Sequence, residues 1–426
     1  MNDTICALAT NPGGALGIIR ISGSQSLEIL SRVFSKNLTV ALPNTIHYGH
    51  IKDGEDILDE VLVSIFRAPH SYTGEDSAEI SCHGSRYILN KVLELLIKHG
   101  CRMAEPGEYT QRAYLNGKMD LSQAEAVADL IASTNKATHQ IAMSQLRGHF
   151  SSALAQLREQ LLKLTSLLEL ELDCSDHEDL ELADRSELLE LTQKIDNHIT
   201  SLANSFEIGN VLKNGIPVAI IGAPNVGKST LLNALLGEDR AIVSDQQGTT
   251  RDAIEDTIQL GGITFRFIDT AGIRHTDDRI ERMGIDRSMA AAQRARIILM
   301  MTEPGIPYPD IEVRDDQTVI RIENKTESFQ AKYGVGLDQL RQDLIDAAPR
   351  TSDTDVIVTN ARHYDALLRA HDSIQRVIDG LQQRLSGDLL SEDLRQALDI
   401  LSEITGGQIT PQETLNNIFQ HFCVGK

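Results

Sequence analysis

The residues most clearly spaced for chemistry form a glycine-rich loop of the pattern G-x-x-x-x-G-K-S, which runs from Gly222 to Ser229. In loops of this pattern, backbone N–H groups close on a phosphate, and the N-terminus of the following helix adds a favourable partial charge. Lys228 would neutralise the β- and γ-phosphates, and the Ser229 hydroxyl would bind Mg²⁺. The loop therefore predicts a nucleoside triphosphate site, with the members Asn225, Val226, Gly227, Lys228, Ser229 and Thr230.

The stretches on both sides of this loop have the character that the motif requires. Residues 216–221 are an apolar, β-branched run that predicts a buried parallel strand. Residues 230–236 carry apolar side chains at helical spacing. A chance glycine turn is not expected between a strand and a helix in this register, so we interpret the loop as functional.

Three further segments supply the other parts of a nucleotide switch in chain order. A polar segment, residues 244–252, contains a threonine that can complete the Mg²⁺ shell and sense the γ-phosphate. A D-x-x-G box follows the next apolar strand, so Asp269 would support Mg²⁺ and the Gly272 N–H would contact the γ-phosphate. Loops that the γ-phosphate orders and hydrolysis releases are a known switch mechanism. The nucleotide-contacting candidates in these two segments are Ser244, Thr249, Thr250, Asp269, Thr270, Ala271 and Gly272.

The third segment is an N-K-x-acid box, in which Asn324, Lys325 and Glu327 follow an apolar strand. A carboxylate at this place can accept the N1–H and N2–H of guanine, which adenine cannot offer. Together these boxes resemble the translation-factor-related GTPases. Two departures concern the base pocket: the acid is Glu327 rather than aspartate, and Gln330-Ala331-Lys332 follows where the family has S-A-K. That spacing leaves little room for the helix and strand usually found in between.

The residue after the D-x-x-G box is Ile273, whose aliphatic side chain cannot orient water. With an asparagine in the phosphate loop and the segment Gly248-Thr249-Thr250, the chain resembles the GTPases that K⁺ activates. We therefore expect Asn225, with carbonyls near Ser244 and Gln246, to bind K⁺, and Glu281 to position the attacking water. Arg274 and Asp252 are further catalytic candidates. The predicted ligands of the two metal ions are Ser229, Thr250, Asn225, Ser244, Gln246 and Thr249.

The elements ahead of the nucleotide segment predict two other domains. Residues 1–117 read as an α+β domain, with strands at 15–21, 61–66 and 77–82 and helices at 24–35 and 87–97. A helix should begin at the capping box formed by Ser122 and Glu125. Leucines then recur in alternating steps of three and four, which is typical of a helix-bundle core; they are Leu154, Leu157, Leu161, Leu164 and Leu168.

Helical patterning returns after the nucleotide segment, at residues 365–385, 388–404 and 414–422. The nucleotide domain is therefore predicted to be inserted into a helical domain, a connection that is tolerated because domain termini often lie close together. The predicted domains are residues 1–117, a helical part at 118–211, a Ras-like P-loop domain at 212–348, and a second helical part at 349–426. The carboxylates around His177 favour a solvated acidic turn over a metal site.

Composition limits the class of protein. The 426 residues are 41% hydrophobic and 24% charged, as in globular proteins, and the net charge is −21. So acidic a chain has no broad non-specific nucleic-acid surface, because neutralising phosphates requires lysine and arginine. The five scattered cysteines favour a reducing compartment, and no apolar run reaches membrane-spanning length. We expect a cytoplasmic protein without a membrane segment.

Signatures outside the nucleotide boxes extend the resemblance to nearly the whole chain. One signature runs over residues 104–126 with the sequence AEPGEYTQRAYLNGKMDLSQAEA; the others are SYTGED at 71–76, His83-Gly84, and the terminal FCVGK. These look like the MnmE (TrmE) family of tRNA modification GTPases. The family's N-terminal domain resembles folate-binding domains and forms a homodimer. The expected fold is thus multidomain: α+β folate-binding-like, all-α helical, and an inserted α/β GTPase domain.

The resemblance also implies a reaction and partners. With an FAD-containing, MnmG-like partner in a heterotetramer or larger complex, the family modifies C5 of the tRNA wobble uridine. The one-carbon unit comes from 5,10-methylene-tetrahydrofolate or a related tetrahydrofolate. By motif position, the folate-site candidates are Arg20, Glu79, Lys118 and Lys426, and Cys423 is a candidate nucleophile with a structural role as the alternative. The alternative function is a GTPase switch in ribosome assembly without modification chemistry.

Overall fold

The computed structural model describes residues 3–173, 185–239, 256–268, 289–350, 352, 355–407, 412–420 and 422–425. The chain forms two compact units. The first comprises Met1–Ile131, Gln145–Leu182 and Gln383–Lys426, and the second comprises Ala132–Ser144 and Ala183–Gln382.

The first unit is built on a six-stranded sheet with the order β3-β4-β5-β2-β1-β6. All neighbouring strands are antiparallel except β1 and β6, which are parallel. The strands are β1 (Thr4–Leu8), β2 (Leu16–Ser22), β3 (Thr45–Asp53), β4 (Asp56–Phe66), β5 (Ser77–His83) and β6 (Cys101–Met103). Three of them confirm the strands predicted at 15–21, 61–66 and 77–82.

The two faces of this sheet differ because side chains alternate along each strand. One face carries buried side chains such as Ile19, Val63 and Ile80, and helices α1 (Ser26–Val33) and α2 (Arg86–Lys98) contribute to the same core. Both helices confirm the predicted ones. The other face bears exposed apolar side chains; Leu16, Ile46, Tyr48 and Leu62 are 66%, 67%, 54% and 47% exposed.

A buried charge network links this sheet to α3 (Glu108–Leu115). Arg112 is 1% exposed, and its guanidinium donates to Glu108 at 2.9 Å, to Asp3 at 2.8 Å and to Glu75 at 3.2 Å. Arg102 also donates to Glu108 and Asp3. Burial would raise the pKa of the Glu108 carboxyl, but hydrogen bonds from Arg102, Arg112 and the Glu105 N–H lower it overall.

The helix predicted to begin at a capping box is α4 (Leu121–Ala132), and the capping pair lies two residues earlier in the chain than predicted. The Asp120 carboxylate accepts the Gln123 N–H at 2.9 Å, and the Gln123 amide oxygen accepts the Asp120 N–H at 3.0 Å. Ser122 lies within the first turn, where it is buried. The helix start was therefore correct, but Ser122 and Glu125 are not the capping pair.

The predicted leucine seam is buried in α6 (His149–Asp173), as a bundle core requires. This helix packs against α11 (Gly387–Thr405), and α12 (Gln412–Phe419) contributes to a core with α4. Helix α5 (Lys136–Leu146) belongs to the second unit as far as Ser144. Among the helices in the described part of the chain, none combines the length and hydropathy that a bilayer span needs.

The second unit contains a five-stranded sheet with the order β11-β10-β7-β9-β8, in which only the β8–β9 pair is antiparallel. Its strands are β7 (Ile216–Gly222), β8 (Asp256–Leu260), β9 (Ile263–Phe267), β10 (Ile297–Thr302) and β11 (Thr318–Glu323). Helices α8 (Lys228–Asp239) and α9 (Leu337–Ala347) supply buried leucines to its main core, and residues 289–294 pack on the opposite face. The strand and helix predicted around the glycine-rich loop are confirmed.

Between β11 and α9 the chain forms only a short 3₁₀ turn, Ala331–Tyr333, and an isolated bridge between Gln330 and Val335. The close spacing of the N-K-x-acid box and Gln330-Ala331-Lys332 predicts this lack of a helix and a strand. The same unit contains two long helices, α7 (Arg185–Asn214) and α10 (Ala361–Gln382), which pack together. Helices α10, α11 and α12 confirm the three predicted helices that follow the nucleotide segment.

We expect Arg112→Met to destabilise the first unit by about 3–5 kcal/mol, because Glu75 loses its charge partner and the buried Glu108 keeps only Arg102. The measurement is the urea midpoint of unfolding of the full chain, followed by circular dichroism. Arg32→Met is the matched control, since Arg32 forms an exposed pair with Glu28 four residues earlier and should leave the midpoint nearly unchanged. Equal midpoints for the two variants would contradict a stabilising role for the network.

Candidate functional site

The glycine-rich loop follows the carboxyl end of β7, which lies between β10 and β9 in the sheet. Loops at the carboxyl ends of parallel strands, at the point where the strand order reverses, commonly form ligand sites in α/β sheets. The loop starts at Gly222, where a Cβ atom would lie 2.4 Å from the Met301 carbonyl oxygen. The sheet therefore requires a glycine at the entry to the loop.

The loop is connected to the N-K-x-acid box through the amide of Asn324, which is only 5% exposed. Its Nδ2 donates to the Val226 carbonyl at 2.8 Å, and its Oδ1 accepts the Ala331 N–H at 3.1 Å. Gly227 has φ +99°, and a Cβ there would lie 2.4 Å from Asn324 Nδ2. The Asn324 side chain thus joins the phosphate loop to the turn that ends at Ala331, and it packs against Gly227.

Lys228 is the first residue of α8, and its ammonium group turns back to the loop. Its Nζ donates to the carbonyl oxygens of Gly222 at 2.7 Å and Ala223 at 2.8 Å. Burial lowers the pKa of this lysine, because a low-dielectric environment disfavours the charged form. Phosphate oxygens are stronger acceptors than these carbonyls, so the loop fits a bound polyphosphate.

The other loop residues predicted to contact nucleotide or metal lie around this lysine. Ser229 is half-buried in the first turn of α8, Thr230 is exposed, and Val226 is buried beneath the loop. Asn225 is exposed and has φ +63°. No cluster of three or more His, Cys, Asp or Glu side chains suited to a metal occurs in the described residues. A Mg²⁺ ion on this loop would instead use the serine hydroxyl and phosphate oxygens.

The predicted base-contacting residues follow Asn324 in a tight turn. Lys325 has φ +63° and forms an ion pair with Glu303. Its Nζ donates to the Asn225 carbonyl oxygen at a distance of 3.5 Å. The Thr326 hydroxyl accepts the Phe329 N–H at 3.1 Å, which closes the turn around Glu327. Glu327 is exposed, so its carboxylate is accessible to a ligand.

Several residues predicted for the nucleotide and folate sites lie outside the described residues. They are Ser244, Gln246, Thr249, Thr250, Asp252, Asp269, Thr270, Ala271, Gly272, Arg274, Glu281 and Lys426.

A second cluster lies in the first unit, where the predicted pair Arg20 and Glu79 face each other on β2 and β5. The Arg20 Nε donates to the Glu79 carboxylate at 2.7 Å, and its Nη1 donates to the Gly425 carbonyl at 2.9 Å. The C-terminal segment therefore lies beside this pair, although 405 positions separate the two residues of the second bond. A Cβ at Gly425 would lie 2.6 Å from the Leu8 carbonyl oxygen, so the segment passes close to β1.

Cys423 is two residues before Gly425 and is exposed, while its carbonyl accepts the Gly107 N–H at 3.4 Å. The free cysteines Cys6, Cys82 and Cys101 are buried. Burial and the nearby Asp59 charge raise the pKa of Cys82 to about 12. Among the described cysteines, Cys423 is therefore the accessible thiol, and it lies near the Arg20–Glu79 pair.

Lys118 does not contact the Arg20–Glu79 pair in the same way: its Nζ donates a hydrogen bond to the Pro69 carbonyl at 2.8 Å.

Tyr72 is a residue that sequence reasoning did not assign to this site. Its hydroxyl shares a hydrogen bond with Thr110 at 2.9 Å, and burial raises its pKa while the Arg20 charge opposes that rise. Its place in the SYTGED signature was the signal that could have identified it.

Two family models match this chain between Thr4 and Cys423. Residues 4–118 match the family described as GTP-binding protein TrmE N-terminus, and residues 121–423 match the MnmE helical domain. The tRNA modification GTPase MnmE of Bacteroides fragilis is 53% identical over 464 aligned positions, which cover 100% of this chain and 99% of that protein. The protein of the same description from Flavobacterium johnsoniae is 48% identical over 467 positions, with coverage of 100% and 99%.

Both alignments are longer than the 426 residues of this chain, so these relatives carry insertions that the chain lacks. One solved structure, a variant of Aquifex aeolicus Era bound to GDP.AlF4-, is 24% identical and covers 37% of this chain and 66% of its own. Its TM-score is 0.23, which does not establish a shared fold.

We expect Gly227→Ala to weaken binding of a fluorescent GTP analogue at least about 100-fold, because the new Cβ meets Asn324 and the residue has a left-handed φ. Fluorescence titration of the full chain measures this. Gly237→Ala is the matched control, since Gly237 lies in α8 and a Cβ added there would meet nothing within 4 Å. Wild-type affinity in Gly227→Ala would refute the tight fit between loop and amide.

Proposed function

This chain belongs to the MnmE family of tRNA modification GTPases, and we propose that it couples K⁺-activated GTP hydrolysis to one-carbon modification of the tRNA wobble uridine. One observation carries the proposal: the chain combines a phosphate loop with a second polar centre in its other unit. In that second centre Arg20, Glu79 and the segment of Cys423 meet. A simple nucleotide switch has no need of the second centre.

In the proposed hydrolysis, Lys228 and the N-terminus of α8 hold the phosphates, and Ser229 provides a ligand for Mg²⁺. We assign the second metal ligand to Thr250, the support of Mg²⁺ to Asp269 and the γ-phosphate contact to the Gly272 N–H. Glu281 positions the attacking water, with Arg274 and Asp252 as further catalytic candidates. These assignments rest on the spacing of the sequence boxes.

The proposed K⁺ site uses Asn225 in the phosphate loop and the segment around Ser244, Gln246 and Thr249. Asn225 supports this assignment, because it is an exposed residue of the loop and its side chain carries an amide oxygen. A monovalent cation there supplies the positive charge that an arginine finger gives other GTPases.

Guanine selection is assigned to the exposed Glu327 carboxylate and to the Asn324 amide behind it. The glutamate is one methylene longer than the usual aspartate, but the Thr326-closed turn holds its backbone in place. A carboxylate that accepts two N–H groups of guanine rejects adenine, which would leave it unpaired.

The second centre is assigned to a tetrahydrofolate. Arg20 and Glu79 fit such a ligand, because a carboxylate can accept from the amide-like edge of a pterin and a guanidinium can bind a carboxylate. Lys118 and Lys426 are assigned to the glutamyl tail. A bound 5,10-methylene-tetrahydrofolate would supply the one-carbon unit. The chain's own part is to orient this ligand and to place the exposed Cys423 thiol beside it.

The proposed assembly is a homodimer that works with an FAD-containing, MnmG-like protein on tRNA. The exposed apolar face of the N-terminal sheet, with Leu16, Ile46 and Leu62, supports a dimer because large apolar patches on a soluble domain favour interfaces. The net charge of −21 supports a partner that provides the basic surface for tRNA. The free thiols of the described cysteines support work in the reducing cytoplasm.

Within the second unit, the β8–β9 hairpin provides a route from nucleotide to helices. In sequence it separates the two predicted switch segments. Its residues contact the start of α5: Asn135 donates to the Thr264 hydroxyl at 2.8 Å, and the Ala137 N–H donates to the Gly262 carbonyl at 3.1 Å. A conformational change in either switch segment would therefore displace a hairpin that is hydrogen-bonded to a helix.

Deletion of the gene should leave the wobble uridine without its C5 group, as measured by mass analysis of tRNA nucleosides. Wild-type chain should restore the group, and Cys423→Ser should not, although its GTP turnover should stay at the wild-type rate. Val424→Ala is the control within the same exposed segment and should restore modification. Full modification with Cys423→Ser would show that the thiol is dispensable, and unchanged nucleosides in the deletion strain would reject the function.

GTP turnover should be at least about tenfold faster in KCl than in NaCl of equal concentration, because only K⁺ would fit the proposed ligands and supply transition-state charge. Asn225→Ala should remove this difference. Asn233→Ala, an exposed asparagine of α8, should retain it. Equal steady-state rates in the two salts would eliminate the cation from the mechanism.

A further inference from the structure

Strand β11 is the edge of the sheet in the second unit, and in the described part of the chain it pairs only with β10. Thr318 and Asn324 donate their N–H groups to carbonyls on the β10 side at 2.9 and 2.8 Å. Because backbone direction alternates along a strand, the N–H groups of Val319, Arg321 and Glu323 point away from the sheet. An edge of this kind can pair with another strand.

A groove of about 330 Å³ runs along this edge, between β11 and α9. It occurs where the chain passes from Asn324 to α9 without the usual intervening helix and strand, so neither element covers the edge. The exposed Tyr308 stands beside it, with the Arg321 guanidinium 6.0 Å from its ring. The residues that line the groove include Ile320, Ile322, Phe329, Gly336, Leu340 and Asp343.

The charge at the groove is negative. Glu323 is exposed and Asp343 is half-buried, and neither forms an ion pair among the residues that the structure describes. The Gln339 amide donates to one Asp343 oxygen at 2.9 Å, which leaves the other oxygen to accept from a ligand. Arg321 is the lining cation, and it is engaged with Tyr308. A basic side chain entering the groove would therefore meet two carboxylates.

We propose that β11 is a docking edge for an extended segment of a partner protein, which adds to the sheet as its sixth strand. The segment presents an apolar side chain to Ile320 and Leu340 and, two residues along on the same face, a lysine or arginine to Asp343, with Glu323 adding negative charge nearby. Backbone hydrogen bonds supply the affinity, and the groove selects the alternating side chains. Six paired residues at about 3.3 Å each span roughly 20 Å, the full length of β11.

The test uses the full chain and, as the probe, a dye-labelled synthetic peptide with the repeat valine–threonine–lysine–threonine, which places valine and lysine on the same face of a strand. We expect saturable binding by fluorescence anisotropy, and slowed amide hydrogen exchange confined to residues 318–324 and the groove wall. A peptide with glutamate in place of lysine should bind at least about tenfold more weakly, because it meets carboxylates. A peptide N-methylated along one edge should lose binding, since it cannot pair with a strand.

Arg321→Pro removes one outward N–H and should weaken the valine–lysine peptide about tenfold. Arg321→Ala retains that N–H and is the matched control, so it should bind the peptide within about threefold of wild type. Both variants should bind GTP as the wild type does, which would show that they are folded. The proposal is overturned if the wild type does not bind the peptide or if the N-methylated peptide binds equally well. It is also overturned if Arg321→Pro, but not Arg321→Ala, lowers the oligomer mass in sedimentation, since a second copy of the chain would then occupy the edge.

Discussion

The nucleotide site depends on one buried amide. Asn324 can bridge the phosphate loop and the segment at Ala331 because an amide offers both a donor and an acceptor, whereas an aspartate at this place would offer only acceptors. The donor reaches the Val226 carbonyl only because Gly227 has no side chain in the way. Loss of either partner would leave a buried polar group unsatisfied, which costs more than the bond itself contributes. This contact holds the loop in which Lys228 turns toward the phosphate position.

The shortened segment after Asn324 preserves that bridge while it changes the sheet. The chain turns at Thr326, reaches Ala331 within a few residues, and continues directly into α9, whose Leu340 and Leu344 are buried in the core. Helix α9 therefore covers one face of the sheet, and Ala291, Ala292 and Ala295 pack on the other. Because the connection is short, the outer edge of β11 stays unpaired, and its outward-facing N–H groups lie beside an acidic groove. The tight turn around Glu327 and the open edge are thus two consequences of the same short connection.

The first unit arranges charge in a different way. Its buried guanidinium, Arg112, is surrounded by carboxylates and stabilises the junction of sheet and α3. Arg20 is less buried and divides its donors between Glu79 and the Gly425 carbonyl. The first arrangement has few remaining hydrogen-bonding positions, so it is structural. The arrangement around Arg20 joins the C-terminal segment to strands β2 and β5. The exposed Cys423 thiol lies in the same segment, where it is accessible to a ligand.

Much of this architecture was predictable from local pattern. Period-two alternation identified β4 and β5, and helical spacing identified α1, α2 and the leucine seam of α6, because burial of one face imposes those periods. A turn signal ahead of an apolar run identified β2. The short strands β1 and β6 were not predicted; β6 has three residues, too few to show a period. The capping pair was misassigned because Asp120–Gln123 and Ser122–Glu125 both satisfy the same spacing, and packing places Ser122 against Ser151 instead.

The sequence by itself determined the phosphate loop, the order of the nucleotide boxes and the short connection after Glu327, since each depends on residue type at close spacing. Only the tertiary structure decided that Asn324 reaches Val226 across 98 positions and that Gly425 meets Arg20 across 405. It also decided that Lys118 binds the Pro69 carbonyl and that β11 remains an open edge. Such contacts follow from how whole sheets and helices pack, and no local pattern of side chains records which distant backbone groups they will bring together.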